Sequence, residues 1–228
     1  MNLNDLHRRL LQDVLAIGNE FPFVITGGYA IQAHGLVDRF SRDIDVATDS
    51  SLSMESLAAH LVTGLTERGW RVRVIGVVPV SARFMVTDPE LGQDCEVDIL
   101  KEAFNRPPQD TPWGPVLALD DVIGTKVRAL ADRGYARDLI DVHAASRLHS
   151  NADLESLGRR HAWDEFSLEN LMVRLNAVEW RADDEFTAYG LSATAIADLR
   201  GWAQAWADDI NQRLHAGAFE ADEDDNYS

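Results

Sequence analysis

Asp43 and Asp45 stand two residues apart in Arg39-Phe40-Ser41-Arg42-Asp43-Ile44-Asp45-Val46. The run from Asp43 to about Thr48 reads as a strand, and strand side chains alternate between faces, so both carboxylates point the same way. Two acids held on one face repel each other, and a divalent cation between them relieves that repulsion. Upstream, Thr26-Gly27-Gly28-Tyr29-Ala30 puts a glycine pair at what reads as a helix start. Glycine permits close backbone approach, and the free amides of a helix start can receive a phosphate. A phosphate cradle beside a two-carboxylate metal site is the apparatus for moving a phosphoryl or nucleotidyl group. The plain alternative is an acid pair in a surface turn beside Arg42, and D-x-D alone is a weak signal. The glycine pair close upstream tips the reading toward metal-dependent nucleotidyl transfer.

A third acid, Asp98, lies in Cys95-Glu96-Val97-Asp98-Ile99-Leu100, where Val97 and Ile99 alternate with Glu96 and Asp98. A charge in the middle of an apolar strand is costly unless it is paired or metal-bound. Asp98 is therefore a candidate to complete the metal site or to take a proton from an attacking hydroxyl, with Glu96 the competing choice on the same face. The alternative is a half-exposed strand with its polar face in water. Ser41 is either a turn hydroxyl or a phosphate ligand, and Arg39 and Arg42 are either further phosphate contacts or solvated. Lys126 and Arg133, seven residues apart, share one helical face, and Arg137, Asp138 and Asp141 follow on the next helix. Arg137 and Asp141 are spaced to pair with each other. The functional reading has Lys126 and Arg133 at a triphosphate, with Asp138 or Asp141 orienting Lys126 or contacting the nucleotide. The histidines show no metal-ligand spacing, and His34 reads as structural. Trp163, Trp180, Trp202 and Trp206 fall at packing intervals on expected helices, which favours core over base stacking.

The elements that must position these residues follow from periodicity. Residues 3–19 carry apolar positions at helical spacing with Asn4 or Asp5 as cap. Residues 23–25 form a short buried strand leading into Gly27-Gly28, and 29–34 form one or two helical turns ending at Gly35. Residues 53–68 read as an amphipathic helix stopped by Gly69, followed by strands at 70–78, 82–86 and 96–100. The turn-rich stretch 105–115 closes the series, and strands end there. Helices are expected at 119–132, 136–148, from Asn151 or Asp153, at 167–179 and at 192–215. The order specifies an α+β fold: a mixed-sheet core over 1–115, a C-terminal helical subdomain over 116–217 and an acidic, disordered tail over 218–228.

The chain has 228 residues and a net charge of −17, more of it from residues 151–228 than from 1–150. That acidity argues against broad, nonspecific nucleic-acid binding but leaves room for a local basic surface. Only Lys101 and Lys126 among the basic residues are lysines. No apolar run approaches the roughly 20 residues that span a bilayer. The polar start MNLNDLHRRLL lacks a signal-peptide core, and the single cysteine, Cys95, excludes an intrachain disulfide. These features predict a cytoplasmic protein with no membrane partner.

Taken in order, the motifs resemble the nucleotidyltransferase superfamily with the polymerase-β-like core, and within it the AbiEii/AbiGii toxin family of type IV toxin–antitoxin systems. Gly27-Gly28-Tyr29-Ala30 matches that family's GGxA element, and Arg39-Phe40-Ser41-Arg42-Asp43-Ile44-Asp45 its R-x-S-x-D-I-D text. Val97-Asp98-Ile99 matches its V-D-I strand, Lys126-Val127-Arg128-Ala129-Leu130-Ala131-Asp132-Arg133 its K-x-x-A-x-x-x-R helix, and Arg137-Asp138-Leu139-Ile140-Asp141 its R-D-x-x-D helix. Five such motifs in one order are jointly specific, and residues beyond 145 match none of them.

The resemblance implies a nucleoside triphosphate substrate with Mg²⁺, and transfer of nucleotides to the 3′ acceptor end of tRNA, which blocks translation. It also implies a cognate antitoxin encoded nearby, and in some members phosphorylation of the hydroxyl matching Ser41 silences the enzyme. On this reading Asp43, Asp45 and Asp98 form the metal site, and Gly27, Gly28, Arg39, Ser41, Lys126 and Arg133 contact the nucleotide. Lys126, Asp138 and Asp141 complete the catalytic set. Two rivals remain: the same chemistry on an aminoglycoside-like small molecule or a protein hydroxyl, and a catalytically idle binding module.

Overall fold

A computed structural model describes residues 1–18, 21–162, 164 and 166–224. The chain divides into two compact units, Met1–Val122 and Ile123–Ser228.

The first unit carries helices α1 (Asp5–Ile17), α2 (Gly27–Ala33) and α3 (Met54–Glu67) with a seven-stranded sheet. Its strands are β1 (Val24–Ile25), β2 (Asp43–Thr48), β3 (Arg71–Val78), β4 (Ser81–Asp88), β5 (Gln93–Lys101), β6 (Gln109–Thr111) and β7 (Gly114–Val116). Their spatial order is β3-β4-β5-β2-β1-β7-β6. β2 with β5 and β1 with β7 run parallel, and the remaining pairs antiparallel. This is the mixed sheet of an α+β protein, as the element order predicts.

Local chemistry sets the helix starts. The Asn4 side chain accepts a hydrogen bond from the His7 amide at 2.7 Å, and Ser53 Oγ accepts from the Ser56 amide at 3.2 Å. The inward face of α1 buries Leu6, Leu10, Leu11 and Val14, and that of α3 buries Leu57, Leu61 and Leu65. Between them and the sheet lies one apolar core, to which β2 contributes Ile44 and Val46, β4 Phe84 and Val86, and β5 Val97 and Ile99. On the opposite face β2, β4 and β5 carry Asp43, Asp45, Arg83, Glu96 and Asp98 among their side chains.

The turn-rich stretch 105–115 is where the expectation fails: it holds the β6–β7 hairpin, so strands continue past residue 100. Each strand is three residues long, too short for alternation to show. β7 is fixed by a distant partner, with Val116 registered on Ile25 and the Leu117 amide donating to the Ile25 carbonyl at 2.9 Å.

The division between units falls inside α4 (Leu119–Asp132). The second unit continues with α5 (Ala136–Ala145), α6 (Asn151–Arg160), α7 (Leu168–Asn176), α8 (Asp183–Thr187) and α9 (Ala193–Asp224). Ser150 caps α6, one residue ahead of the expected start. Its Oγ accepts from the Asp153 amide at 3.2 Å while the Asp153 carboxylate accepts from the Ser150 amide at 3.1 Å. Ser167 and Ser192, the first residues of two expected helices, cap α7 and α9. The helix expected over 167–179 tightens after Asn176 into a 3-10 turn, Ala177–Trp180, and the short α8 was not anticipated.

α9 runs beyond the expected end at 215 to Asp224, and residues 225–228 of the expected tail lie outside the described residues. Trp206 is buried as predicted, but Trp180 is 89% exposed at the end of the 3-10 turn, so packing does not explain it. Trp163 lies outside the described residues. Glycines bring α4 and α6 together: a Cβ on Gly124 would lie 2.7 Å from the Leu157 carbonyl, and one on Gly158 2.7 Å from Val127 Cγ1. Among the described residues no helix is long and apolar enough to cross a membrane.

Candidate active site

The register of β2 on β5 decides where the acids go. Asp43 lies opposite Glu96, Ile44 opposite Val97, and Asp45 opposite Asp98. Registered residues on neighbouring strands share a face, so four carboxylates gather on one side of the sheet while the aliphatic residues between them enter the core. Asp43 and Asp98 are largely buried and Asp45 is half-buried.

Each acid is held. Ser41 Oγ donates to Asp43 Oδ1 at 2.9 Å. On β4, Arg83 stands directly across from Asp98. Its Nε donates to Asp98 Oδ1 at 2.9 Å and its Nη2 to Asp98 Oδ2 at 2.7 Å, a two-pronged fork, while Nη1 lies 3.1 Å from Glu96 Oε1. Arg83 carried no signal in the sequence beyond its place in an alternating strand. Only the strand register shows that it meets Asp98.

The glycine pair is explained by what it touches. Gly27 has a φ of +60°, and a Cβ there would lie 1.8 Å from Asp45 Oδ2. A Cβ on Gly28 would lie 2.4 Å from Ser41 Oγ and 3.6 Å from Arg39 Nη1. The backbone at the start of α2 therefore presses directly on the acid site, with the buried Arg39 beside it. Gln32 Nε2 donates to the Arg39 carbonyl at 2.6 Å and fixes that segment against α2.

Behind α2, Nδ1 of the buried His7 lies 2.5 Å from the Tyr29 hydroxyl. Burial lowers the pKa of His7, with Asp43 pulling the other way. Burial, then Cys95 and Asp43, push the Tyr29 hydroxyl well above its usual range. Burial pushes the Cys95 thiol up to about 12, with Asp43, Asp45 and Glu96 adding to it. Cys95 is thus a neutral core residue and no nucleophile.

In the second unit, Lys126 Nζ lies 2.9 Å from Asp141 Oδ2, both side chains buried. Arg133 forks onto Asp138, at 3.0 Å from Nε and 3.2 Å from Nη2, and Asp138 also accepts from the Tyr135 amide at 3.3 Å. Of the two sequence alternatives for Asp141, pairing with Arg137 along one helix or orienting Lys126, the structure records the cross-helix pair with Lys126. Of the predicted site residues, Gly27, Gly28, Arg39, Ser41, Asp43, Asp45 and Asp98 come together in the first unit. Lys126, Arg133, Asp138 and Asp141 form two ion pairs in the second.

The donor chemistry suits a hard divalent cation. Asp43 and Asp45 offer carboxylate oxygens, and Mg²⁺ is commonly held by one or two carboxylates with substrate phosphates and waters supplying the rest. Both oxygens of Asp98 are engaged by Arg83, and among the described residues no group of three or more His, Cys, Asp or Glu is disposed to hold a metal ion. The arrangement fits a two-carboxylate site completed by substrate.

A family model described as "Nucleotidyl transferase AbiEii toxin, Type IV TA system" matches residues 9–212. The fold is similar to that of JHP933 from Helicobacter pylori, at 17% identity and a TM-score of 0.54, covering 96% of this chain and 100% of that one. It is also similar to MenT4, a nucleotidyltransferase toxin from Mycobacterium tuberculosis, at 18% identity and a TM-score of 0.58, covering 90% of this chain and 82% of that one. No curated protein matches at a significant level.

Proposed function

We propose, from the premise that this chain belongs to the AbiEii nucleotidyltransferase toxin family of type IV toxin–antitoxin systems, that it transfers a nucleoside monophosphate from a nucleoside triphosphate to the 3′ acceptor end of tRNA and so blocks translation in the cytoplasm. The enzyme class, nucleotidyltransferase, comes with the family, as does the implied cognate antitoxin. The observation that carries the site assignment is the β2–β5 register, which sets Asp45 against Asp98 and Asp43 against Glu96 on one face of the sheet.

In this reading Asp43 and Asp45 hold Mg²⁺. The bound cation supplies charge neutralisation at the triphosphate. Gly27 and Gly28 give the phosphates access to backbone, with Ser41 and Arg39 beside them. The acceptor oxygen bonds to the α-phosphorus as the α–β anhydride bond breaks, and pyrophosphate carries the electron pair away. Asp98 receives the hydroxyl proton. For the second unit taken by itself, Lys126, paired with Asp141, and Arg133, paired with Asp138, are the cations we assign to phosphate binding.

The test incubates wild type and Asp43→Ala with total tRNA, Mg²⁺ and each labelled nucleoside triphosphate in turn. Label on tRNA with wild type and none with the variant is the expected result. No label from any nucleotide would sink the tRNA reading. A parallel arm with aminoglycosides addresses the small-molecule acceptor, which the net charge of −17 favours by attraction to a cationic substrate. Full toxicity of Asp43→Ala in cells would instead mark a binding module.

A further inference from the structure

The pairing of β2 with β5 is part of a longer row across the sheet. Arg73 on β3 stands opposite Met85 on β4, Met85 opposite Glu96 on β5, and Glu96 opposite Asp43 on β2. Registered residues share a face, so Arg73 lies on the acid face, three strand spacings or about 14 Å from Asp43. Arg71 lies on the same face and leads a row through Thr87 to Asp94, whose carboxylate accepts from the Thr87 hydroxyl at 2.6 Å. Gly76 leads the row through Arg83 and Asp98 to Asp45, so no β3 side chain stands at its outer end. β3 is the terminal strand of the sheet. Arg71 and Arg73 are both exposed, and neither side chain makes an ion pair or hydrogen bond with another described residue. Charge on a terminal strand deters pairing with other chains, a role that calls for no particular face. Here both arginines take the acid face, while Val72 and Val74 take the other.

The strand order gives the site a direction. The start of α2, which follows β1, meets Asp45 from one side of β2, and β5, β4 and β3 lie on the other. We propose that Arg71 and Arg73 anchor the acceptor. They bind backbone phosphates of an RNA end a few nucleotides before its reacting hydroxyl, and so lead that hydroxyl over β4 to Asp98. The inference rests on the nucleotidyl-transfer reading above, with the triphosphate at the start of α2. The acids of this face and a net charge of −17 repel a polyanion, so attraction has to be supplied locally, where the acceptor enters. A guanidinium suits that role because it stays charged and matches a phosphate with two parallel N–H groups. Half-buried Met85, between Arg73 and Glu96, offers a soft apolar surface to a passing base. The same two charges repel a cationic acceptor, so this edge favours RNA over an aminoglycoside.

The experiment measures binding of total tRNA to the full-length protein by filter retention across a salt series. It compares wild type with two double variants, Arg71→Gln with Arg73→Gln and Arg71→Lys with Arg73→Lys. Both positions are exposed, so neither pair of substitutions opens the core. The glutamine variant is expected to bind about ten-fold more weakly at low salt, and its slope of log affinity against log salt to fall by about 1–2, for two lost phosphate contacts. The lysine variant keeps both charges and should retain the wild-type slope and most of the affinity. Thermal stabilisation by Mg²⁺ with a nucleoside triphosphate, which concerns the α2 side of the acids, should be equal in all three proteins. Unchanged tRNA affinity and slope in the glutamine variant overturn the anchor and leave tRNA standing as acceptor. A wild type that nucleotide stabilises but that does not bind tRNA overturns the anchor and the tRNA reading together, leaving nucleotidyl transfer in place.

Discussion

Lys126 and Asp141 form an ion pair of 2.9 Å between α4 and α5 with both side chains buried. Breaking such a pair strands a charge away from water, at a cost of about 3–5 kcal/mol. Asp141→Asn should therefore lower the melting temperature markedly. Replacing both partners by apolar residues, Lys126→Met with Asp141→Leu, should recover part of that stability, because neither charge of this pair is left behind. Nucleotidyl transfer should stay abolished in the double variant if Lys126 serves the triphosphate. A stable double variant with wild-type activity would reduce the pair to a structural role.

Gly27 and Gly28 make unequal predictions. Gly27→Ala meets the Asp45 carboxylate at 1.8 Å from a backbone with φ of +60°. The conformation alone costs about 1–2 kcal/mol for a residue with a Cβ, and the contact displaces an acid of the site. A shift of about 1 Å in a reacting group can cost about 100-fold in rate, so transfer should fall by at least that order. At Gly28 the obstacle is the Ser41 hydroxyl, the end of a side chain that can rotate, and no left-handed backbone is involved. Gly28→Ala should lose less. Equal activity of Gly27→Ala and wild type would show that Asp45 need not hold its place.

The same contrast explains what the sequence discloses. Asp43 and Asp45 were legible because a strand's alternation is written in consecutive residues. So were the helix starts at Ser167 and Ser192, where one hydroxyl acts on an amide three residues on. Arg83 on Asp98 was not legible, since their meeting depends on the register of β4 against β5 across fifteen residues of chain. Whether Asp138 or Asp141 meets Lys126 was left open as well, since it rests on how α5 packs on α4. The hairpin at Gln109–Val116 escaped for a related reason: strands of three residues have no pattern of their own and exist through pairing, β7 with β1 and β6 with β7. The exposed Trp180 shows the converse. Helical spacing suggested packing, but the helix tightened one turn too early to carry the indole inward.

Glu155 braces the long last helix. Its buried carboxylate accepts from Trp206 Nε1 at 3.0 Å and from both terminal nitrogens of Arg213, at 3.0 and 2.5 Å. Arg213 can turn to water, but the fully buried Trp206 cannot. Glu155→Ala therefore leaves an indole N–H without its acceptor, which costs about 1–3 kcal/mol. Thermal unfolding should shift down and tryptophan emission should change. Glu155→Gln, which keeps an oxygen for Trp206, should recover part of the loss. Equal destabilisation by both variants would show that the Arg213 charge, rather than the indole, is what Glu155 serves.

Acid should weaken the first unit through His7. Burial holds the pKa of His7 below its usual 6.5, against a smaller opposing pull from Asp43. A base whose folded pKa is depressed binds protons more readily when unfolded. Its contribution to stability is then complete above about pH 6.5 and is lost as the pH falls through the folded value. His143 in the second unit shifts in the same direction, through burial and Arg147 and against Asp198. Melting temperature should fall from pH 7.5 to pH 5.5, and His7→Gln should flatten part of that slope, since glutamine can still meet the Tyr29 hydroxyl without taking up a proton. The comparison is between slopes, because acid also relieves self-repulsion in a chain of net charge −17. Parallel slopes for wild type and His7→Gln would mean that His7 takes up its proton as readily in the folded protein as in the unfolded chain.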